Sequence, residues 1–292
     1  MIYDIRNVTT YAYGRPVPFA RCVLRMLPRE GGGQQVLSSQ ITVSPRDAER
    51  QDGLCFFGNR TTTLTIARPH RELRIEMTAR VAVERGAAPF PAITRRWEEV
   101  AQLALAAQSL GADSPAQQLY PSRLVPLVDE ITAYASESFA RGRPVFEAAS
   151  ALMARIRAGF SYDPEATEVS TPIREAFARR HGVCQDFAHI MIAGLRGLGL
   201  PAAYVSGYLR TIPPEGQPRL EGADATHAWV SLWCGPETGW IGLDPTNDLI
   251  VGDDHIVTAI GRDYADVSPL DGVLVGPGSQ KLDVGVDVVP VA

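Results

Sequence analysis

The sequence predicts an α+β fold: an all-β, sandwich-like unit over residues 1–92, then a unit of helices packed on an antiparallel sheet over residues 93–292. Three observations predict it. β-rich runs fill residues 1 to about 90, helical periodicity takes over between residues 124 and 200, and strand-like alternation returns beyond 200.

In the first unit the runs YDIRNVTTYAY, ARCVLRMLP, QVLSSQITVSP, NRTTTLTIA and LRIEMTARVAVE are separated by Gly, Pro and Asn-Gly-type punctuation, the mark of short strands. EGGGQQ at 30–35 reads as a hairpin loop, since no helical pattern follows it as a phosphate-binding loop would require. GAAPFPAITRRW changes the composition and places the boundary near residue 92.

Beyond it, Leu124, Leu127, Val128, Ile131 and Ala135 share one helical face, as do Val145, Ala149, Leu152, Met153 and Ile156. STPIREAFARR adds a helix with Thr171 as N-cap and Pro172 at the first helical position. The next helix starts at Cys184, carries Phe187, Ala188, Met191, Ile192 and Leu195 on one stripe, and stops at Gly197, Gly199 and Pro201. AAYVSGYLR, ATHAWVSLWC, GWIGLDPT and QKLDVGVDVVPV then supply strands.

At 292 residues and 45% hydrophobic content the chain can bury a sizeable core. A net charge of −5 offers no general attraction to nucleic acid or anionic lipid, so neither is expected as a partner. No export signal and no apolar run of spanning length are visible, which makes the cytoplasm the expected location. The four cysteines stand far apart without a C-x-x-C pair, which argues against structural zinc or a disulfide framework. Asp253, Asp254 and His255 are adjacent in GDDHI, and adjacent residues rarely converge on one ion. No metal and no cofactor are expected.

Cys184 poses the chemical question: a small buried residue, a metal ligand or a nucleophile. The unpaired N–H groups and positive dipole end of a helix's first turn favour an anion, the setting in which a thiolate reacts, and those N–H groups can also donate to an oxyanion. Gly182, just before it, would let backbone approach a substrate. Cys22, Cys55 and Cys234 read as packing residues. Of the five histidines, His189 lies about 140° around the helix from Cys184, and His70, His181 and His255 suit turns or surface. His227 differs: period two puts it with Trp229, Ser231 and Trp233 on a polar, aromatic strand face. If Trp233 pairs with Thr238 across the CGPE turn, His227 stands opposite Asp244, where a carboxylate can fix the imidazole tautomer. A one-residue slip would put the two on opposite faces.

Cysteine, histidine and aspartate in this order resemble the transglutaminase-like superfamily of papain-type cysteine enzymes. The resemblance is carried by GVCQDFAH at 182–189, LGLPAAYVSGYL at 198–209, THAWVSLW at 226–233 and GWIGLDPTND at 239–248. TTYAYGRPV, RMLPRE and FFGN extend it to the β-rich N-terminal region of the bacterial two-domain branch, so it covers almost the whole chain. It implies a transglutaminase-like, papain-like core, with Cys184 as nucleophile, His227 as general base and acid, and Asp244 as the group orienting His227. Asp186 and Gln185 match the motif beside the nucleophile. Asp186 reads equally as a structural anchor, and Gln185, Tyr208, Trp229, Asp263 and Tyr264 are implied to line the substrate cleft.

The reaction so implied is acyl transfer on a peptide, protein or other amide substrate through a thioester. Hydrolysis by a peptidase or amidase is favoured, because calcium-dependent animal cross-linkers carry β domains for which this chain has no length. Glutamine transamidation uses the same three residues, arylamine acetyltransferases share their order, and a non-catalytic binding or scaffold protein on the same fold is the further alternative. Bacterial relatives are often encoded near ATP-grasp-type ligases, which implies an association with such systems by analogy only.

Overall fold

The computed structural model describes residues 1–211, 224–276 and 278–291. The front unit contributes β1 (Ile2–Val17), β2 (Phe19–Leu24), β3 (Gln34–Ser44), β4 (Glu49–Leu54), β5 (Arg60–Ile66) and β6 (His70–Val83). Strict alternation on β6 turns Leu73, Ile75, Met77, Ala79, Val81 and Val83 inward, and Tyr3 and Ile5 of β1 join them. Pro18 separates β1 from β2, and the chain passes there from one sheet to the other. Ala20, Cys22 and Leu24 of β2 and Leu64 and Ile66 of β5 then close the same core from the opposite sheet. β4, a polar run exposed along its whole length, gives no alternation from which the sequence could announce it.

The second unit runs α1 (Trp97–Leu105), α2 (Asp129–Ser136), α3 (Val145–Gly159), β7 (Ser161–Tyr162), α4 (Ile173–Arg179), β8 (His181–Gly182), α5 (Cys184–Gly197), β9 (Ala202–Leu209), β10 (Ala225–Trp233), β11 (Trp240–Asp244), β12 (Leu249–Ile250), β13 (His255–Gly261) and α6 (Tyr264–Val267). Its antiparallel sheet has the order β12-β11-β10-β9-β13. Ala228, Val230 and Leu232 of β10 pack with Phe187, Met191 and Leu195 of α5, so one sheet face is covered by helices. The helix expected from Leu124 starts only at Asp129: Pro126 has no N–H to donate and restricts its predecessor. Pro172 flanks α4, and Thr171 serves a turn instead, its Oγ1 accepting from the Glu168 N–H at 2.9 Å.

Two placements differ from the sequence reading. β15 (Gln280–Val291) does not join the second unit's sheet but pairs with β1, and β14 (Leu270–Val275), a strand the sequence reading did not include, pairs with β2, so the two complete both sheets of the front sandwich. Alternation specifies which residues face a core, not which strand lies alongside. The Gly31–Gly33 segment is a tight turn with positive φ at all three glycines, but it joins strands of different sheets and is no hairpin loop.

The units meet along β13, the edge of the five-stranded sheet, and side chains of the front unit complete its hydrogen bonding. Gln34 donates from Nε2 to the Val257 carbonyl and accepts from its N–H, both at 2.9 Å. Asn59 does the same for Ile260, at 2.8 and 2.9 Å. An amide side chain carries the donor and acceptor of a peptide group, so two residues stand in for a neighbouring strand and cover an edge open to unwanted pairing.

Candidate active site

α5 opens where Val183 leaves extended backbone, placing Cys184, Gln185 and Asp186 at its first three positions. Asp186 folds back to accept from the Val183 N–H at 2.9 Å and from the Thr167 hydroxyl at 2.6 Å. Burial raises its pKa, and those two bonds oppose the rise. The structure thus makes Asp186 an anchor that satisfies one of the helix's orphan donors. It also explains Gly182, where a Cβ would stand 2.6 Å from Asp186 Oδ2: the glycine accommodates the anchor. Cys184, half-buried, remains at the helix start with the first-turn N–H groups around it.

His227 lies at the beginning of β10, and its Nε2 is 2.8 Å from Asp244 Oδ2. A carboxylate only accepts, so Nε2 carries the proton. Asn247 Nδ2 also lies 3.3 Å from Nε2, and Cys184 stands close enough to the ring to act on its pKa. Burial pulls the His227 pKa down, but the bonds and charges of Asp244 and Cys184 outweigh it and hold the imidazolium well above its usual range. Asp244 moves the opposite way: burial favours its neutral form, yet His227, His255 and Asn247 keep the carboxyl ionised.

The β10–β11 hairpin does not take the predicted register. Trp233 pairs with Trp240 and Ser231 with Gly242, a slip of two residues from the expected pairs. An even slip leaves every side chain on its own face, so His227 and Asp244 still meet, diagonally instead of directly opposed.

The residues expected to line a cleft are largely engaged elsewhere. Tyr208 is buried and donates to the Met26 carbonyl at 2.9 Å, fastening the sheet to the front unit. Trp229 is buried behind the imidazole, its ring 6.1 Å from that of His227, and borders a cavity of 520 Å³ between the units. Asp263 is buried too, capping α6 through the Ala265 N–H at 2.9 Å and holding the Leu124 N–H at 2.7 Å. Tyr264, half-buried, gives its N–H to His189 Nε2 at 3.2 Å. That accounts for His189, a sequestered ring whose pKa burial lowers to about 4. Gln185 donates to the Val169 carbonyl at 3.2 Å, and Val169 in turn lines a cavity of 390 Å³ with Leu124, Leu127, Ile173 and Arg174.

Two residues at the site were not singled out from the sequence, and a third was placed elsewhere. Tyr162, paired with Gly182 and 56% exposed, stands close enough to Cys184 that burial first and the sulfur's charge second raise its pKa. Asn247 donates to Asp244 Oδ2 at 2.8 Å. His255, read as a loop residue, instead begins β13 and is 3% exposed, with Nε2 3.3 Å from the same oxygen. Its loop neighbours look elsewhere: Asp253 accepts from the Arg85 N–H and Asp254 from Tyr3 and Arg210.

Comparison with known proteins agrees with this architecture. Residues 3–82 match the family described as the bacterial transglutaminase-like N-terminal region, and residues 132–245 match the transglutaminase-like superfamily. An uncharacterized protein of Mycobacterium tuberculosis is 37% identical over 99% of this chain and 90% of its own length, and one of Mycobacterium leprae is 30% identical over 97% of each. A protein-glutamine gamma-glutamyltransferase of Pseudomonas aeruginosa is 36% identical over 33% of this chain and 15% of its own. The fold is shared with the crystal structure of "a Putative Cysteine Protease from Cytophaga hutchinsonii", which superposes with a TM-score of 0.76 at 22% identity, covering all of this chain and 92% of that one.

Proposed function

The chain belongs to the transglutaminase-like superfamily, and from that premise we propose that it is a cysteine-dependent acyl-transfer enzyme acting on peptide or other amide substrates. The observation carrying this reading is the buried His227–Asp244 pair at 2.8 Å, set beside a half-buried Cys184 that helps raise the His227 pKa. His227 takes the thiol proton, and the thiolate attacks the amide carbon. The tetrahedral oxyanion is met by N–H groups of the first turn of α5, which have no partner within the helix. The imidazolium then protonates the departing amine as the C–N bond breaks, leaving a thioester on Cys184. His227 next deprotonates water, whose attack releases the acid and restores the thiolate.

Hydrolysis is the favoured outcome. Transamidation is the second reading, because part of this chain is similar to the Pseudomonas glutamyltransferase and an amine can replace water at the thioester. A peptide library incubated with and without a primary amine, read by mass spectrometry, tests both. Cleavage products that are lost in Cys184→Ala support the proposal, amine-bearing products move it to transamidation, and turnover surviving Cys184→Ala would refute it.

A further inference from the structure

Asp244 does not serve His227 alone. Its Oδ2 faces His227 Nε2 at 2.8 Å, Asn247 Nδ2 at 2.8 Å and His255 Nε2 at 3.3 Å, while Oδ1 takes the Thr246 and Asn247 N–H groups at 3.0 and 3.3 Å. Since the carboxylate only accepts, His255 must hold its proton on Nε2, which leaves Nδ1 bare. Nδ1 is buried without a partner among the described residues. A proton placed there would be an orphaned buried N–H, so the ring is built to donate to Asp244 through Nε2 alone.

The ring of His255 is held from several sides. Trp229 packs edge-on against it at 5.2 Å. From the front unit, Arg85 Nη1 donates to the His255 carbonyl at 2.7 Å and to that of Gly252 at 2.6 Å, and Gln34 fixes Val257 two residues further on. The ionisable groups facing the cluster are Cys184 from α5, His227 from β10, Asp244 from β11 and Arg85 from the front unit. Asp253 and Asp254, the adjacent acids, are turned onto other partners.

We infer that His255 is a positioning residue for the proposed acyl transfer: clamped by the N-terminal β unit, it shares the Asp244 carboxylate with His227 and so limits the carboxylate's hold on the reactive imidazole. The inference rests on the reading of Cys184, His227 and Asp244 given above, but its test does not require turnover. An N–H dipole withdrawn from a carboxylate leaves more negative charge for the remaining partner, so loss of the His255 donor raises the imidazolium pKa of His227.

The experiment is an NMR titration of the histidine ring signals in the full-length protein, assigned by single substitutions. His255→Phe, which keeps a ring against Trp229 but removes the donor, should move the His227 titration upward by about half a pH unit. His255→Gln, which restores an N–H, should return it to within about 0.2 units of the wild type. An unmoved or lowered His227 titration in His255→Phe, or equal shifts in Phe and Gln, overturns the inference. Should His255→Phe not fold, the wild type decides: ¹⁵N shifts must show His255 protonated at Nε2 and bare at Nδ1, and the opposite tautomer overturns it. Cys184→Ala separates the two readings, since a His227 titration indifferent to that change defeats the proposed function while leaving the His255 comparison intact.

Discussion

Asp244→Asn is the sharpest perturbation of the proposed site, because it keeps the volume and inverts the hydrogen bonding. An amide offers one accepting oxygen. If that oxygen keeps the Thr246 and Asn247 N–H groups, the new NH₂ confronts the His227 and His255 N–H groups and the Asn247 amide; if it flips, the two backbone donors lose their acceptor. In the first arrangement His227 relieves the clash by moving its proton to Nδ1, facing Cys184, where it can no longer accept from the thiol. A hydrogen bond to a charged group contributes about 1.5–3 kcal/mol. Its loss therefore lowers the imidazolium by about 1–2 pH units. The assay is the rate of Cys184 alkylation by iodoacetamide against pH, followed by mass spectrometry. At pH 6 the variant should react about 10–100-fold more slowly, and the two curves should converge toward pH 10, where an unassisted thiol ionises by itself. A variant that alkylates like the wild type at pH 6 refutes the claim that Asp244 supports the thiolate–imidazolium pair. Stability adds a second signature. Asp244, with its pKa depressed, contributes above the unfolded value near pH 4 and loses that contribution as pH falls through the folded one. His227, with its pKa raised, contributes below about pH 6.5 and loses its share as pH rises through the folded value. The stability difference between wild type and variant should thus be widest at about pH 5–6.5, at roughly 3 kcal/mol for a broken buried pair.

Asn59→Ala strips the Ile260 N–H and carbonyl of their partner in a buried position, and should lower stability by about 2–4 kcal/mol, visible as a shifted urea midpoint. An unchanged midpoint would mean that β13 does not depend on the front unit. Asp186→Ala removes the acceptor of the Val183 N–H and the Thr167 hydroxyl, and should cost about 1–3 kcal/mol while accelerating amide exchange at the start of α5. Unaltered exchange there would exclude the anchoring role.

What the sequence made legible follows from the range of each signal. The start of α5 is local: a glycine, a cysteine and an apolar stripe lie within a few turns, and the helix begins at Cys184 as read. The meeting of His227 and Asp244 survived a wrong register because period two constrains parity more tightly than it constrains pairing, and a two-residue slip preserves parity. His255 was out of reach for the same reason in reverse. The acids before it suggested solvent, and only the return of β13 alongside β9 carries the ring inward to the carboxylate. β15 shows the limit most plainly: its alternating apolar residues announce a strand, but its partner is β1, more than two hundred residues earlier in the chain, and β14, which pairs with β2, was not announced at all. A fold closed by its last strands cannot present a finished front unit until the end of the chain has docked. The Gln34 and Asn59 clamps that hold β13 then link completion of that sandwich to the placement of His255 beside Asp244.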